Sequence, residues 1–230
     1  MNPALVTRNE TDADAGTITE VTIAAFKTLE ISNHTEQFVI EALRAAKALT
    51  VSLVAEVDGR VIGHIAFSPV TLSDGTRDWY GLGPVSVLPE YQRKGTGKAL
   101  VQEGLLRLKA LNAQGCCLVG HPDYYRKLGF RNMPGLVHER VPPEVFLALS
   151  FDGHTPQGTV TFHEARRTAD KRAHAALHSA PDAAPSGVVV YAASRLSWSR
   201  KSRSPRVDCA GGLLRCRCWP PGWPCPSHWW

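Results

Sequence analysis

The stretch VSVLPEYQRKGTGKALV, Val85 to Val101, constrains the fold more than any other. A β-type apolar run stops at Pro89, which has no N–H to donate to a ladder. Beyond the turn, Leu100, Val101, Leu105, Leu108 and Leu111 recur at helical spacing. The chain therefore passes from a strand through a glycine-bearing turn into an amphipathic helix. The first N–H groups of a helix have no internal partners, and the macrodipole adds roughly half a positive charge there. Gly95 and Gly97 let those groups turn toward a bulky anion, and Arg93, Lys94 and Lys98 supply cations around it. Such a turn suits a phosphate or pyrophosphate. The plainer alternative is an ordinary strand-to-helix turn with solvated charges.

Spacing excludes two common nucleotide loops. A P-loop requires Gly where Gln92 stands and Ser or Thr after Gly97-Lys98, where the chain has Ala99. A dinucleotide fingerprint beginning at Gly95 requires Gly or Ala at the position of Leu100.

Around this stretch the pattern alternates between the two periodicities. ALVTR reads as a short strand, and Asp12 to Leu29 as a helix with Ile18, Val21, Ala25 and Leu29 on one side. Asn33 and Glu36 have capping-box spacing, ahead of a helical face made of Phe38, Val39, Ala42, Leu43, Ala46 and Leu49. TVSLVAEV and RVIGHIAFSPV are strands joined at Asp58-Gly59, a strong hairpin signal. WYGLGPVSVL precedes the turn. After the helix, which is expected to end near Gly115, come the strand CCLVG, a short helix PDYYRKLGF stopped by Gly129, and strands at VFLALSF and GTVTFH. The expected fold class is α/β: a mixed, mostly antiparallel central sheet flanked by helices, with one strand–helix–strand crossover in its middle.

The net charge of +5 suggests nucleic acid until the chain is divided at Glu164. Residues 1–164 carry 15 Lys/Arg against 18 Asp/Glu, a net −3, and residues 165–230 carry 11 against 3, a net +8. The basicity belongs to the tail. Four of the six cysteines and five of the six tryptophans also fall there, leaving Cys116 and Cys117 in the body. Adjacent cysteines are poor disulfide partners, so the body reads as a reduced, soluble, cytoplasmic domain. The first residues show no basic-then-apolar secretory pattern, and GVVVYAA is far too short to span a bilayer.

VSVLPEYQRKGTGKAL resembles the signature of the GNAT superfamily of N-acetyltransferases: a strand, Pro, then Gln/Arg-x-x-Gly-x-Gly/Ala opening a helix. DYYRKLGF is similar to its second motif, a Tyr four positions before a Gly-Phe pair. With the helical pair in front, the resemblance extends over about residues 3 to 164. More narrowly it resembles the YhbS-like subgroup, through Leu82 to Pro84, Gly120 to Tyr125 and Val141 to Glu144.

The resemblance implies an N-acetyltransferase that uses acetyl-CoA as co-substrate and needs no metal. The CoA pyrophosphate would lie on the N–H groups of Gln92, Arg93, Lys94, Gly95, Thr96, Gly97 and Lys98. The pantetheine arm would run along Val85, Ser86 and Val87, whose exposed edge a ligand can extend. The backbone N–H of Val85 would face the thioester carbonyl, a type of donor whose loss costs about 10²- to 10³-fold. Tyr125 stands at the family's general-acid position, whereas Tyr124 reads as a packing residue of the short helix. A thiolate with pKa near 8.5 leaves, and a phenol near 10 protonates it, typically worth 10²- to 10⁴-fold. The acceptor would be a primary amine on a small molecule or a protein.

The general base is not assigned. His64, Glu90 and His121 are candidates by type. His64 alternates with apolar neighbours as a packed strand histidine does, and Glu90 follows a strand end as a solvated turn charge does. One departure concerns Leu118, seven residues before Tyr125, where many family members carry Asn.

Other chemistry is absent from the body: HEARR lacks the second His of a zinc protease, and no Gly-x-Ser-x-Gly elbow occurs. Residues 165–230 read as a disordered basic tail, separate from the domain at 1–164. Cys209, Cys216, Cys218 and Cys225 lack paired metal-knuckle spacing, and SRKSRSPR is a short basic run. Loss of the His-x-Ala-Phe ending at Arg166 suggests a frameshifted or read-through end. Expected partners are acetyl-CoA and an amine, without nucleic acid or membrane, and a homodimer is left open. The competing functional class is a non-catalytic acyl-CoA sensor or pseudoenzyme.

Overall fold

The computed structural model describes residues 4–166 apart from 28, 30, 31, 33 and 140. The domain boundary at 164, and the metal, nucleic-acid and frameshift readings of the tail, concern residues that lie mostly or wholly outside that range.

Strand β1 (Leu5–Asn9) leads through a 3-10 turn at Asp12–Asp14 into α1 (Ala15–Phe26), which is followed by α2 (Glu36–Ala45). The antiparallel hairpin of β2 (Val51–Val57) and β3 (Arg60–Leu72) turns at Asp58 and Gly59, both with positive φ, as the dipeptide predicts. Next come β4 (Trp79–Val87), α3 (Thr96–Ala110) and β5 (Gly115–Val119). A four-residue helix, α4 (Pro122–Tyr125), continues as a 3-10 turn that Gly129 ends at φ 96°. β6 (Leu136–Val137), β7 (Phe146–Ser150) and β8 (Gly158–Phe162) complete the series.

The main sheet runs β1-β2-β3-β4-β5-β7, and β8 joins the far end of β3 while also pairing with β6. Among the described residues only β4–β5 and β6–β8 are parallel, so the mostly antiparallel sheet with a β4–α3–β5 crossover is observed. No helix among the described residues is long and apolar enough to cross a membrane.

Helices cover both faces of the sheet. Consecutive residues of a strand point to opposite faces, so Gly63 and His64 on β3 report which helix lies where. A β-carbon at Gly63 would lie 3.2 Å from Leu100 of α3. His64 pairs in register with Ser86, whose hydroxyl meets Thr22 of α1. Hence α3 packs on one face and α1 on the other. Leu100, Val101, Leu105 and Leu108 are buried beneath α3, each side chain contributing about 1.5–3 kcal/mol.

Three expectations shift. The first helix ends at Phe26 and α3 at Ala110, short of Leu29 and Gly115. The second helix is N-capped by Thr35, while Asn33 lies outside the described residues. Its apolar face is divided: Ile40 enters the main core, Leu43 packs with Ala48 and Ala165, and Phe38 stays 41% exposed. Two clusters meet along this helix, so a single stripe does not describe it. β6 was not anticipated, because two residues carry no periodicity.

Candidate functional site

β4 changes neighbours halfway along its length. Trp79, Tyr80 and Gly81 pair with Gly115, Cys116 and Cys117 of β5, and the parallel ladder ends there. On the β3 side the register jumps: Leu82 faces Phe67 and Val85 faces Ile65, so Gly83 and Pro84 oppose the single residue Ala66. That is a bulge, which bends the strand that carries it. From Val85 to Val87, β4 keeps β3 as its partner and has no pairing with β5.

The direction of the freed backbone follows from one hydrogen bond. The Leu88 N–H donates to the Ile62 carbonyl at 2.9 Å, so Leu88 faces β3. Alternation turns Ser86 the same way, and turns the amides of Val85 and Val87 toward the gap left by β5. The Val87 carbonyl confirms that orientation, because it accepts from the Gln92 side-chain amide at 3.0 Å rather than from the β3 ladder. Ser86 is placed differently from its neighbours: its backbone faces β3, and its buried hydroxyl lies 3.0 Å from Thr22. It ties α1 to the strand and presents no polar group to the gap.

The gap runs down to the mouth of α3. After a 3-10 turn at Pro89–Tyr91 the chain bends through Arg93 (φ 58°) and Gly95 (φ 92°), both left-handed. Gly95 is the residue for that conformation, since a side chain would strain it. The Gly95 carbonyl takes the first intrahelical bond, from Ala99 at 2.9 Å. The N–H groups of Thr96, Gly97 and Lys98 therefore precede the ladder, and they converge at the dipole's positive end. Arg93, Lys94 and Lys98 are exposed beside them, with the Lys94 ammonium 5.6 Å from the Tyr91 ring centroid. The turn has the donors and charge for a phosphate group.

α4 follows the end of β5 and reaches the mouth of α3 through Tyr124. Tyr125 packs edge-on to Phe130 at 5.8 Å and to Tyr124 at 4.9 Å, with its ring directly over Gly120. Burial, reinforced by the neighbouring Tyr124 and Cys116, pushes the Tyr125 phenol well above the ordinary value, so it stays protonated at any physiological pH. Tyr124 packs beyond its own helix. Its hydroxyl lies 3.3 Å from the point where a side chain on Gly97 would begin, which brings α4 up to the mouth of α3. The two residues are 27 apart in sequence, and no local pattern signals the contact.

The base candidates separate. His64 is fully buried, with Nε2 2.8 Å from the Ser52 hydroxyl and 3.3 Å from the Glu10 carboxylate, as a packed strand histidine would be. Glu90 is exposed and pairs with Arg60 at 3.4 Å, as solvated turn charge does. His121 is exposed, and its carbonyl accepts the N–H groups of Tyr124 and Tyr125. Leu118 is wholly buried on β5 and offers no polar contact.

The profile of the acetyltransferase (GNAT) domain matches residues 49–132, the span from β2 to just past α4. The uncharacterized N-acetyltransferase YhbS of Escherichia coli (strain K12) is 36% identical over 96 residues, 41% of this chain and 58% of that protein. The chain thus spans under two thirds of the length of that curated relative. Among solved structures, a GNAT family acetyltransferase from Brucella melitensis in complex with acetyl-CoA is 46% identical. It aligns with a TM-score of 0.64 over 71% of this chain and 99% of that one. The YhbS structure from Escherichia coli in complex with CoA is 29% identical, with a TM-score of 0.66 over 73% and 95% of the two chains.

Proposed function

The chain belongs to the GNAT family of acetyltransferases, and from that premise we propose that it transfers an acetyl group from acetyl-CoA to a primary amine. The observation that carries this reading is the parting of β4 from β5, which leaves the amides of Val85 and Val87 facing a gap that ends at the α3 mouth. CoA needs both features at once, an extended slot for its pantetheine arm and a cluster of N–H donors for its pyrophosphate. The pyrophosphate lies on the amides from Gln92 to Lys98, with Arg93, Lys94 and Lys98 around it. The pantetheine runs beside Val85 to Val87.

Acetyl-CoA supplies the acyl group as an activated thioester, and the residues of this chain do the rest. The Val85 N–H donates to the carbonyl oxygen as negative charge builds there, a backbone donor indifferent to the side chain. The amine nitrogen attacks the carbonyl carbon, the carbon–sulfur bond breaks, and the nitrogen sheds its surplus proton through water, which restores the Tyr125 phenol after it has protonated the thiolate. Tyr125 gives its proton to the departing thiolate, a phenol being protonated at neutral pH before the reaction begins. An ordinary alkylamine with pKa near 10.4 is neutral in only roughly one molecule in a few thousand at pH 7, so the attacking amine must lose a proton first. His64 is fully buried and Glu90 is paired with Arg60, which favours water as the carrier of that proton.

Release of free thiol from acetyl-CoA, measured across a panel of small amines and lysine peptides, tests the proposal. Amine-dependent thiol release is expected. Tight CoA binding with no turnover on any amine would instead support a non-catalytic CoA sensor.

A further inference from the structure

Gly81 and Gly83 stand where β4 leaves β5, and the carbonyls of both are met by one side chain from the far end of the described chain. Arg166 donates from Nη2 to the Gly83 carbonyl, and the same nitrogen lies 3.5 Å from the Gly81 carbonyl. Its guanidinium carbon sits 4.8 Å from the centroid of the Phe162 ring on β8. That ring covers Gly81 so closely that a β-carbon there would come within 2.5 Å of it. A bare glycine, an aromatic ring and a cation are thus layered against the bulge.

Gly83 lies in the bulge, so its carbonyl is displaced from the ladder and needs another donor, whereas Gly81 stands at the last position paired with β5. Arginine suits the task, because its planar fork offers several N–H groups and stacks on an aromatic face. What the bulge sets is direction. Gly83 is two residues before Val85, and sliding the strand by one residue would turn Val85 and Val87 toward β3 and Ser86 toward the gap.

We infer that Arg166 is a positioning residue for CoA binding: by holding the Gly81 and Gly83 carbonyls, it keeps the bulge in register and the Val85 and Val87 amides aimed into the gap. The role in CoA binding rests on the proposed function, whereas the effect on the bulge does not. The segment after β8 becomes part of the site's support, although it lies outside the GNAT profile match at residues 49–132.

The test uses the full chain and its R166A and R166K variants, with calorimetric CoA affinity and amide hydrogen exchange followed by mass spectrometry. R166A should bind CoA about ten- to a hundredfold more weakly and exchange faster at residues 82–88 than elsewhere in the sheet. R166K, which keeps the charge but loses the fork, should recover part of the affinity. R166A that binds CoA as tightly as the parent overturns the inference, as does a uniform gain in exchange across the sheet. A parent that binds no CoA contradicts the proposed function instead, and exchange at 82–88 still decides whether Arg166 holds the bulge. Should R166A fail to fold, R166K and R166Q are compared, and parental CoA affinity with unchanged exchange in both overturns the inference.

Discussion

Thr22 and Ser86 hydrogen-bond through their side-chain hydroxyls at 3.0 Å, joining α1 to the residue between the two amides that face the gap. Both residues are fully buried, and they lie 64 positions apart in the chain. The alternation that turns Val85 and Val87 into the gap turns Ser86 into α1.

Removing one hydroxyl leaves the other buried without this partner. T22V and S86A should each cost about 1–3 kcal/mol, and the double variant should cost clearly less than their sum, since no orphan then remains. Denaturant unfolding of the four proteins checks this. Additive losses would contradict the coupling.

A second buried cluster makes stability depend on acid. The Glu10 carboxylate accepts two N–H bonds from Arg44, at 3.0 and 2.9 Å, and the Ser52 hydroxyl at 2.6 Å. The Ser52 proton is committed there, so the His64 Nε2–H is shared between the Ser52 oxygen at 2.8 Å and the Glu10 carboxylate at 3.3 Å. Burial raises the Glu10 pKa, but hydrogen bonds from His64, Arg44 and Ser52 outweigh it and bring the value from 4.5 down to about 2. Burial lowers the pKa of His64 below 6.5, and the bond to Glu10 does not reverse this.

Both groups hold fewer protons in the folded than in the unfolded chain, so both stabilise at high pH and lose that stabilisation as pH falls. The loss should begin below pH 6.5 through His64 and continue from 4.5 toward 2 through Glu10, whose share is about 3 kcal/mol. Unfolding free energies measured across that range should fall steadily, and E10Q should flatten the lower part. Stability that rises on acidification would contradict the assignment.

What could be read in advance follows the range of the physics involved. Pro89, Gly95 and Gly97 act through their own backbone, and Asp58-Gly59 closes a hairpin between neighbours, so these announce themselves locally. The gap between β4 and β5 is not local: it depends on which of two strands β4 follows, and only pairing reveals it. The Arg166 contact spans 83 residues to Gly83, and Glu10 just past β1 meets Arg44, Ser52 and His64 from three further elements. Tyr125 was legible through its spacing to Gly129. Tyr124 was not, because its hydroxyl meets Gly97 only after α4 docks.

Tyr125→Phe removes one hydroxyl from a ring held by Phe130 and Gly120, so the fold should survive. Loss of a general acid should lower kcat about 10²- to 10⁴-fold, with CoA affinity nearly unchanged. Steady-state kinetics beside calorimetry separate the two quantities. Parental kcat in Y125F would remove the acid role while leaving the CoA site intact.

On the proposed reading the gap beside β4 and the mouth of α3 form one continuous CoA site. Titrating the isotope-labelled chain with CoA while following its backbone amides by NMR tests this. The largest shifts are expected at Val85, Val87 and the amides from Gly95 to Lys98, with Ser86 moving far less because its N–H is held by β3. Saturating CoA that leaves Val85 and Val87 unmoved, or that shifts Ser86 as strongly as its neighbours, would contradict it.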